Sequence, residues 1–337
     1  GKHTVLVSPA IIALVACSAV ICCVTLCAAA AGLAASVRWD PESSSRRQLQ
    51  RERSWMLVEV STRLVFTMQL LSLAVFVATA DRLKSLFTGA MCAVGSLNAN
   101  PLGTPTLALK CAVFILCGIW LVTNRAFVSA VSTALVRSRA VLLMLIAGLM
   151  IVENLVQIGY FCGLDPEIIT SCCATVFDRS TEGIAGGLAD LPVGWSRLVF
   201  VAGIVATAGA GLYAILRHRS TIAYSILAVV FGLVTVSAVV TWIAPSYYEL
   251  PTHHCPLCLL SPDHGYVGYA LYLSLASAVI AGLGSGLVRA LRSLDRYDSI
   301  RAREERRLCA VSLICFAVVA AIAWWPLLAS PFRLGGF

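Results

Sequence analysis

The segment THHCPLCLLSPDHGY, residues 252–266, sets a Cys-x-x-Cys pair, Cys255 and Cys258, between His253 and His254 on one side and His264 on the other. Thiols at this spacing do one of four things: anchor a haem, ligate a metal, close a bracing disulfide, or exchange electrons. Haem attachment is excluded, because Leu259 stands where that motif requires histidine. Metal ligation is open, since two thiolates and three imidazoles are enough donors for a zinc ion. Redox exchange needs one ionised sulfur and a second within reach. Pro256 suits the first turn of a helix, whose N-terminal N–H groups favour thiolate. The segment is therefore expected to open the long apolar helix that follows it, with Cys255 and Cys258 as a redox pair. A zinc site and a structural disulfide remain open alternatives, and no residue is assigned to a metal.

The choice depends on which compartment the thiols face, so the other cysteines and the elements that carry them come next. Of 14 cysteines, Cys17, Cys22, Cys23, Cys27, Cys111, Cys117, Cys309 and Cys315 fall inside apolar runs. There cysteine acts as a small apolar residue that lets helices approach closely. Cys92, Cys162, Cys172, Cys173, Cys255 and Cys258 fall at or beyond the ends of runs.

The runs themselves define the fold class. The chain has 337 residues, of which 59% are hydrophobic and only 12% charged, and its mean hydropathy is +0.87. A soluble domain of this length carries more charge than this. Apolar runs cover about 5–36, 55–79, 105–124, 140–161, 194–216, 221–244, 266–288 and 308–328. Each is long enough to cross a bilayer as a helix, and solid apolarity argues against a barrel. The expectation is an all-α, polytopic membrane bundle of about eight transmembrane helices. The first run is too long and too weakly flanked by positive charge for a signal peptide and is read as a helix.

Arginine sets the orientation. Arg38, Arg46, Arg47, Arg51 and Arg53, then Arg125, Arg137 and Arg139, then Arg217 and Arg219, then the cluster from Arg289 to Arg307 occupy alternate loops. The positive-inside rule places those loops in the cytoplasm. Both termini and all six remaining cysteines then face outside, which is an oxidising compartment. A bacterial cytoplasmic membrane is the expected location. The net charge of +8 is assigned to this topology, with help from anionic lipid, and not to nucleic acid.

The order of parts over residues 140–288 resembles the four-helix core of the vitamin K epoxide reductase family, whose chemistry DsbB-like disulfide oxidases share. One helix is followed by an outer loop, FCGLDPEIITSCCATVFDRSTEGIAGGLADLPVG (161–194). Two more helices then lead to CPLC and a final helix. The stretch SCCATVF followed by DRSTEG is similar to the family's loop motif. The resemblance implies that Cys162 and Cys173 are a shuttle pair, with Cys172 an extra neighbour, and that Cys255 and Cys258 are the active pair beside a quinone. It implies an external thioredoxin-like or other thiol protein as electron donor or acceptor. It also suggests a partition into a three-helix region 1–139 with an outer loop at 80–105, a four-helix thiol-redox-like core 140–288, and a basic loop with a last helix in 289–337.

Ionisable and amide groups inside a membrane helix are functional candidates by default. Glu153, Asn154 and Gln157 are assigned to the quinone, with Glu153 and Gln157 on one face. Bracing of the bundle by interhelical hydrogen bonds is the competing reading. Glu59 and Arg63 are expected to form an ion pair, and Arg197 is read as a headgroup anchor. Cys92 has no near neighbour in sequence and is left to pair with Cys172, or to serve docking or metal binding. Two further functions compete with a quinone-linked thiol-disulfide oxidoreductase. One is a non-catalytic membrane subunit of an electron-transfer complex, associated with other membrane subunits and braced by disulfides. The other is a metal-handling transporter with an outer thiol site.

Overall fold

The computed structural model describes residues 8–37, 39–40, 43, 45–127, 132–165, 168–170, 187, 190–217, 221–291 and 298–330. These residues form an all-α protein with no strand among them. Its long helices are α1 (Pro9–Val37), α2 (Arg46–Leu83), α4 (Gly103–Ala126), α5 (Thr133–Cys162), α6 (Val193–Arg217), α7 (Thr221–Ala238), α9 (Val267–Leu291) and α10 (Asp298–Ala329). Two short helices are α3 (Ala93–Asn98) and α8 (Ala244–Tyr248), the latter joined to α7 by a π-helical turn, Val239–Ile243. Among the described residues, eight helices are long and apolar enough to cross a membrane, as the eight apolar runs predict, and they fit an integral membrane protein.

The chain divides into two compact units. The first holds residues 1–82, 97–168 and 290–301, and the second holds 83–96, 169–289 and 302–337. This grouping differs from the partition expected from sequence. Helix α5, expected with α6 to α9, packs instead on α1 and α4. The second unit takes α10 in its place and also takes the segment that leads from α2 to α3.

In the first unit, α1 presents Ser18, Thr25, Ala28, Ala29, Gly32, Ala35 and Ser36 to its neighbours. These small side chains let helices pack by close approach, which matters where lipid removes any hydrophobic gain between helices. A Cβ on Gly32 would lie 3.3 Å from Trp55 and 3.8 Å from Leu143. Glu59 is held by Arg139 at 2.7 Å and by the Trp55 indole N–H at 2.9 Å. The partner expected from sequence, Arg63, is exposed. Helical spacing puts two residues on one side of a cylinder, but packing chose an arginine from α5.

In the second unit the core is aromatic. Phe200, Phe231, Trp242 and Phe316 are buried and meet edge-on or tilted, with ring centroids 5.0–5.6 Å apart, a favourable arrangement for quadrupolar rings. Helices α9 and α10 are joined by Ser312, whose hydroxyl donates to the Ala278 carbonyl at 2.7 Å. Arg197 is half-buried, and its guanidinium lies 5.5 Å over the Trp242 ring. It therefore serves the core by a cation–π contact rather than standing as the expected headgroup anchor.

Candidate functional site

The end of α7 builds the site. Ala244 donates its N–H five residues back, to the Val239 carbonyl. In the same pattern the next donor would serve the Val240 carbonyl, but that residue is Pro245, which has no N–H. His254 fills the vacancy: its Nδ1 lies 2.9 Å from the Val240 oxygen. A carbonyl only accepts, so Nδ1 carries the hydrogen. One buried imidazole thus ties the Cys-x-x-Cys loop to the helix beneath it.

Two tyrosines hold the loop from the other side. The Tyr248 hydroxyl donates to the Cys255 carbonyl at 2.7 Å, and the Tyr272 hydroxyl donates to the Pro256 carbonyl at 2.6 Å. The Tyr248 ring lies against His253 and His264, with centroids 4.7 and 4.5 Å apart. The loop closes with Leu257–Leu260 and Pro262–His264 as single 3-10 turns. Gly265 and Tyr266 follow with φ of 62° and 56°. Gly268 is needed where α9 begins, because a Cβ there would lie 2.8 Å from the Leu259 carbonyl carbon.

This corrects one expectation. Cys255 and Cys258 do not open the long apolar helix, which starts only at Val267. Pro262 and the left-handed pair at 265–266 interrupt the chain between them. The site is positioned by tyrosine and histidine hydrogen bonds, not by the dipole of a long helix.

The structure also supplies a third thiol. Cys92, just before α3, is 3% exposed, and its Sγ lies 3.7 Å from the Sγ of Cys255, which is fully buried. Cys258 is half-buried, and all three sulfurs lie within 4.8 Å of one another. From sequence, Cys92 is left to pair with Cys172, or to serve docking or metal binding. Its neighbour is instead the Cys-x-x-Cys pair, 163 residues along the chain. Val94 and Leu257 pack around the sulfurs, and Cys258 also packs on the core cluster that holds Trp242, Tyr248 and Leu259.

Burial shifts His253 and His264 toward the neutral form. Burial holds His253 below its ordinary value, against an opposing pull from Cys92. Burial also lowers His264, with Asp263 opposing and His253 reinforcing the shift. Charged imidazolium is disfavoured where solvent is excluded.

The remaining expected residues lie elsewhere. Cys162 ends α5, in the first unit, and is exposed. Cys172 and Cys173 lie outside the described residues. Glu153 is fully buried and bonded to Lys110 at 2.6 Å, while Gln69 donates to its second oxygen at 3.1 Å. Lys110 also donates to the Ser72 hydroxyl at 3.1 Å. Gln157 donates to Ser18 at 3.4 Å, and Asn154 bonds the Met150 carbonyl of its own helix. The group assigned to a quinone therefore links α1, α2, α4 and α5. Sequence reasoning passed over Lys110, and it did not bring Cys92 to Cys255. A lysine inside the run TLALKCAVF and a glutamate inside another run were the available signal for the first.

No protein-family model, no curated protein and no solved structure matches the chain.

Proposed function

We propose that the chain is a membrane thiol-disulfide oxidoreductase of a bacterial cytoplasmic membrane, with Cys92, Cys255 and Cys258 on the outer side as its redox centre. One observation carries this reading: three thiols from two distant segments meet within 4.8 Å. Cys255 stands against Cys92 and is also the near member of the Cys-x-x-Cys pair, so its sulfur can form a disulfide with either neighbour. If Cys92 and Cys255 are bonded, the Cys258 thiolate attacks the Cys255 sulfur and releases Cys92 as a thiolate. No electrons are gained or lost in that exchange; the disulfide moves one place. An external dithiol protein reduces the disulfide: its two thiols become a disulfide, and two cysteines here become thiols. Reoxidation passes two electrons and two protons to an acceptor.

A quinone is the acceptor implied by the family resemblance, and the residues behind Cys258 fit one. Such a site is apolar with a few polar groups. The core on which Cys258 packs holds Trp242, Tyr248 and Leu259. The buried Trp242 indole N–H and the nearby Ser246 hydroxyl have no hydrogen-bond partner among the described residues, so both are available to a quinone carbonyl. A bound quinone would supply the two-electron acceptor; the chain's own residues present the sulfurs, exclude water and donate these hydrogen bonds. Cys162 with Cys173 remains the proposed relay toward the external protein.

The test is cysteine mapping by mass spectrometry on the full chain in detergent, reduced and then exposed to a soluble quinone without oxygen. A disulfide at Cys92–Cys255 or Cys255–Cys258, formed with one quinol per disulfide, is expected. Three thiols that persist with no quinol formed would overturn the reading and leave a non-catalytic subunit.

A further inference from the structure

We propose that the reduced Cys92, Cys255 and Cys258 cluster is also a Zn²⁺ site, and that the bound ion regulates the site by blocking disulfide formation. The inference rests on the thiol reading only for what it regulates; the ion's binding stands on geometry alone.

The spacing of the sulfurs is the first argument. Zinc–thiolate bonds of about 2.3 Å at tetrahedral angles put neighbouring sulfurs about 3.8 Å apart. Cys92 and Cys255 stand 3.7 Å apart, close to that edge. The third sulfur, within 4.8 Å of both, needs to move by about 1 Å at most to complete it. A bonded disulfide instead requires about 2.05 Å, so ligation asks for less movement than oxidation does.

Preorganisation is the second. The backbone at Cys255 and Pro256 is fixed by the Tyr248 and Tyr272 hydroxyls, and the neighbouring His254 is fixed to Val240. The backbone of one ligand, Cys255, and of the residue after it is therefore held before any ion arrives. Metal sites whose ligand orientation is held by hydrogen bonds bind more tightly for that reason.

Charge decides which ion. Three thiolates in a mostly buried site are costly without a compensating cation. A monovalent ion would leave a net charge of −2, whereas Zn²⁺ leaves −1. Three protein sulfurs also leave one tetrahedral position exchangeable, which suits an ion that comes and goes. Ligation displaces the thiol protons, and a sulfur bonded to zinc is no longer available as the attacking thiolate. Site occupancy and disulfide formation are then mutually exclusive.

The experiment uses the full chain in detergent, reduced and stripped of metal under argon. Zn²⁺ is titrated against a chromophoric chelator, and Cd²⁺ is followed by thiolate-to-metal ultraviolet absorption. One ion per chain is expected, with the absorption of three thiolates. Stoichiometric Zn²⁺ should protect all three cysteines from maleimide alkylation by about tenfold or more. Cys92→Ser and, independently, Cys258→Ser should each remove about one third of the Cd²⁺ absorption. Unchanged alkylation of the wild-type chain with Zn²⁺ present overturns the proposal without needing any variant to fold. The redox reading is tested separately in metal-free protein: a chain that binds zinc but never forms a disulfide retains the ion site and loses the oxidoreductase.

Discussion

The two compact units handle polar chemistry in opposite ways. The first buries charge inside its helix bundle and neutralises it by pairing: Lys110 with Glu153, and Arg139 with Glu59, at 2.6 and 2.7 Å. The second keeps its helix interior aromatic and gathers sulfur, imidazole and phenol groups at the loop that joins α8 to α9. An ion pair enclosed by four helices is well suited to fixing their register and poorly suited to meeting a second molecule. A half-buried thiol beside two buried ones, held by backbone clamps, is suited to the reverse. Their surroundings separate groups suited to bracing from groups suited to reaction, where residue type alone does not.

The sharpest way to break the comparison is Cys255→Ala. Cys255 is the sulfur shared by both candidate disulfides, so thiol oxidation by quinone should fall to background, a loss of about a thousandfold or more on the scale of a lost nucleophile. Thermal unfolding of the first unit, followed by limited proteolysis, should not change. Retained turnover would move the chemistry to other cysteines.

The next largest effect belongs to the first unit. Lys110→Met alone leaves Glu153 buried without its cation and should destabilise the protein by about 3–5 kcal/mol in denaturant titrations. Adding Glu153→Leu should recover most of that loss. A well-folded double variant that no longer oxidises thiols would show that the carboxylate takes part in the chemistry and restore its assignment to the quinone.

Packing within the second unit gives a smaller effect. A Cβ on Gly282 would lie 2.6 Å from the Ala228 Cβ and 3.2 Å from the Ser312 hydroxyl. Gly282→Val should therefore cost about 1–3 kcal/mol by overpacking, read as a lowered unfolding temperature. It should also slow thiol exchange less than Cys255→Ala does.

The smallest effect is a pH dependence confined to the site loop. His264 is held below its ordinary value of 6.5, chiefly by burial. The unfolded loop therefore binds its proton more readily than the folded one. Stability is complete above the ordinary value and is lost progressively as pH falls through it toward the lower folded value. Amide exchange over residues 250–266 should accelerate as pH is lowered from 7.5 to 5.5, after correction for intrinsic rates. His264→Gln should weaken that dependence and leave the part contributed by His253, which burial also holds below its ordinary value.

Much of the architecture was legible in the chain. Each of the eight apolar runs became a helix, because a bilayer demands an internally bonded segment of a set length wherever it meets one. The loop at Cys255 and Cys258 was also legible as a candidate site, since two thiols and three histidines gather there between apolar runs. Other features were not. Cys92 lies 163 residues from Cys255, and no local pattern couples them. The π-helical turn that frees the Val240 carbonyl for His254 follows from Pro245, but only the folded loop shows which side chain answers it. The i, i+4 spacing of Glu59 and Arg63 pointed to a pair that helix packing replaced with Arg139.

By itself the sequence determined which segments are apolar helices of a length that fits a bilayer, because hydropathy acts residue by residue. Tertiary structure alone decided which polar groups meet. That choice depends on which helices pack together and on where two loops are held, and those are properties of the whole packed chain. The meeting of three sulfurs is therefore a fact of packing, and the proposed chemistry depends on it.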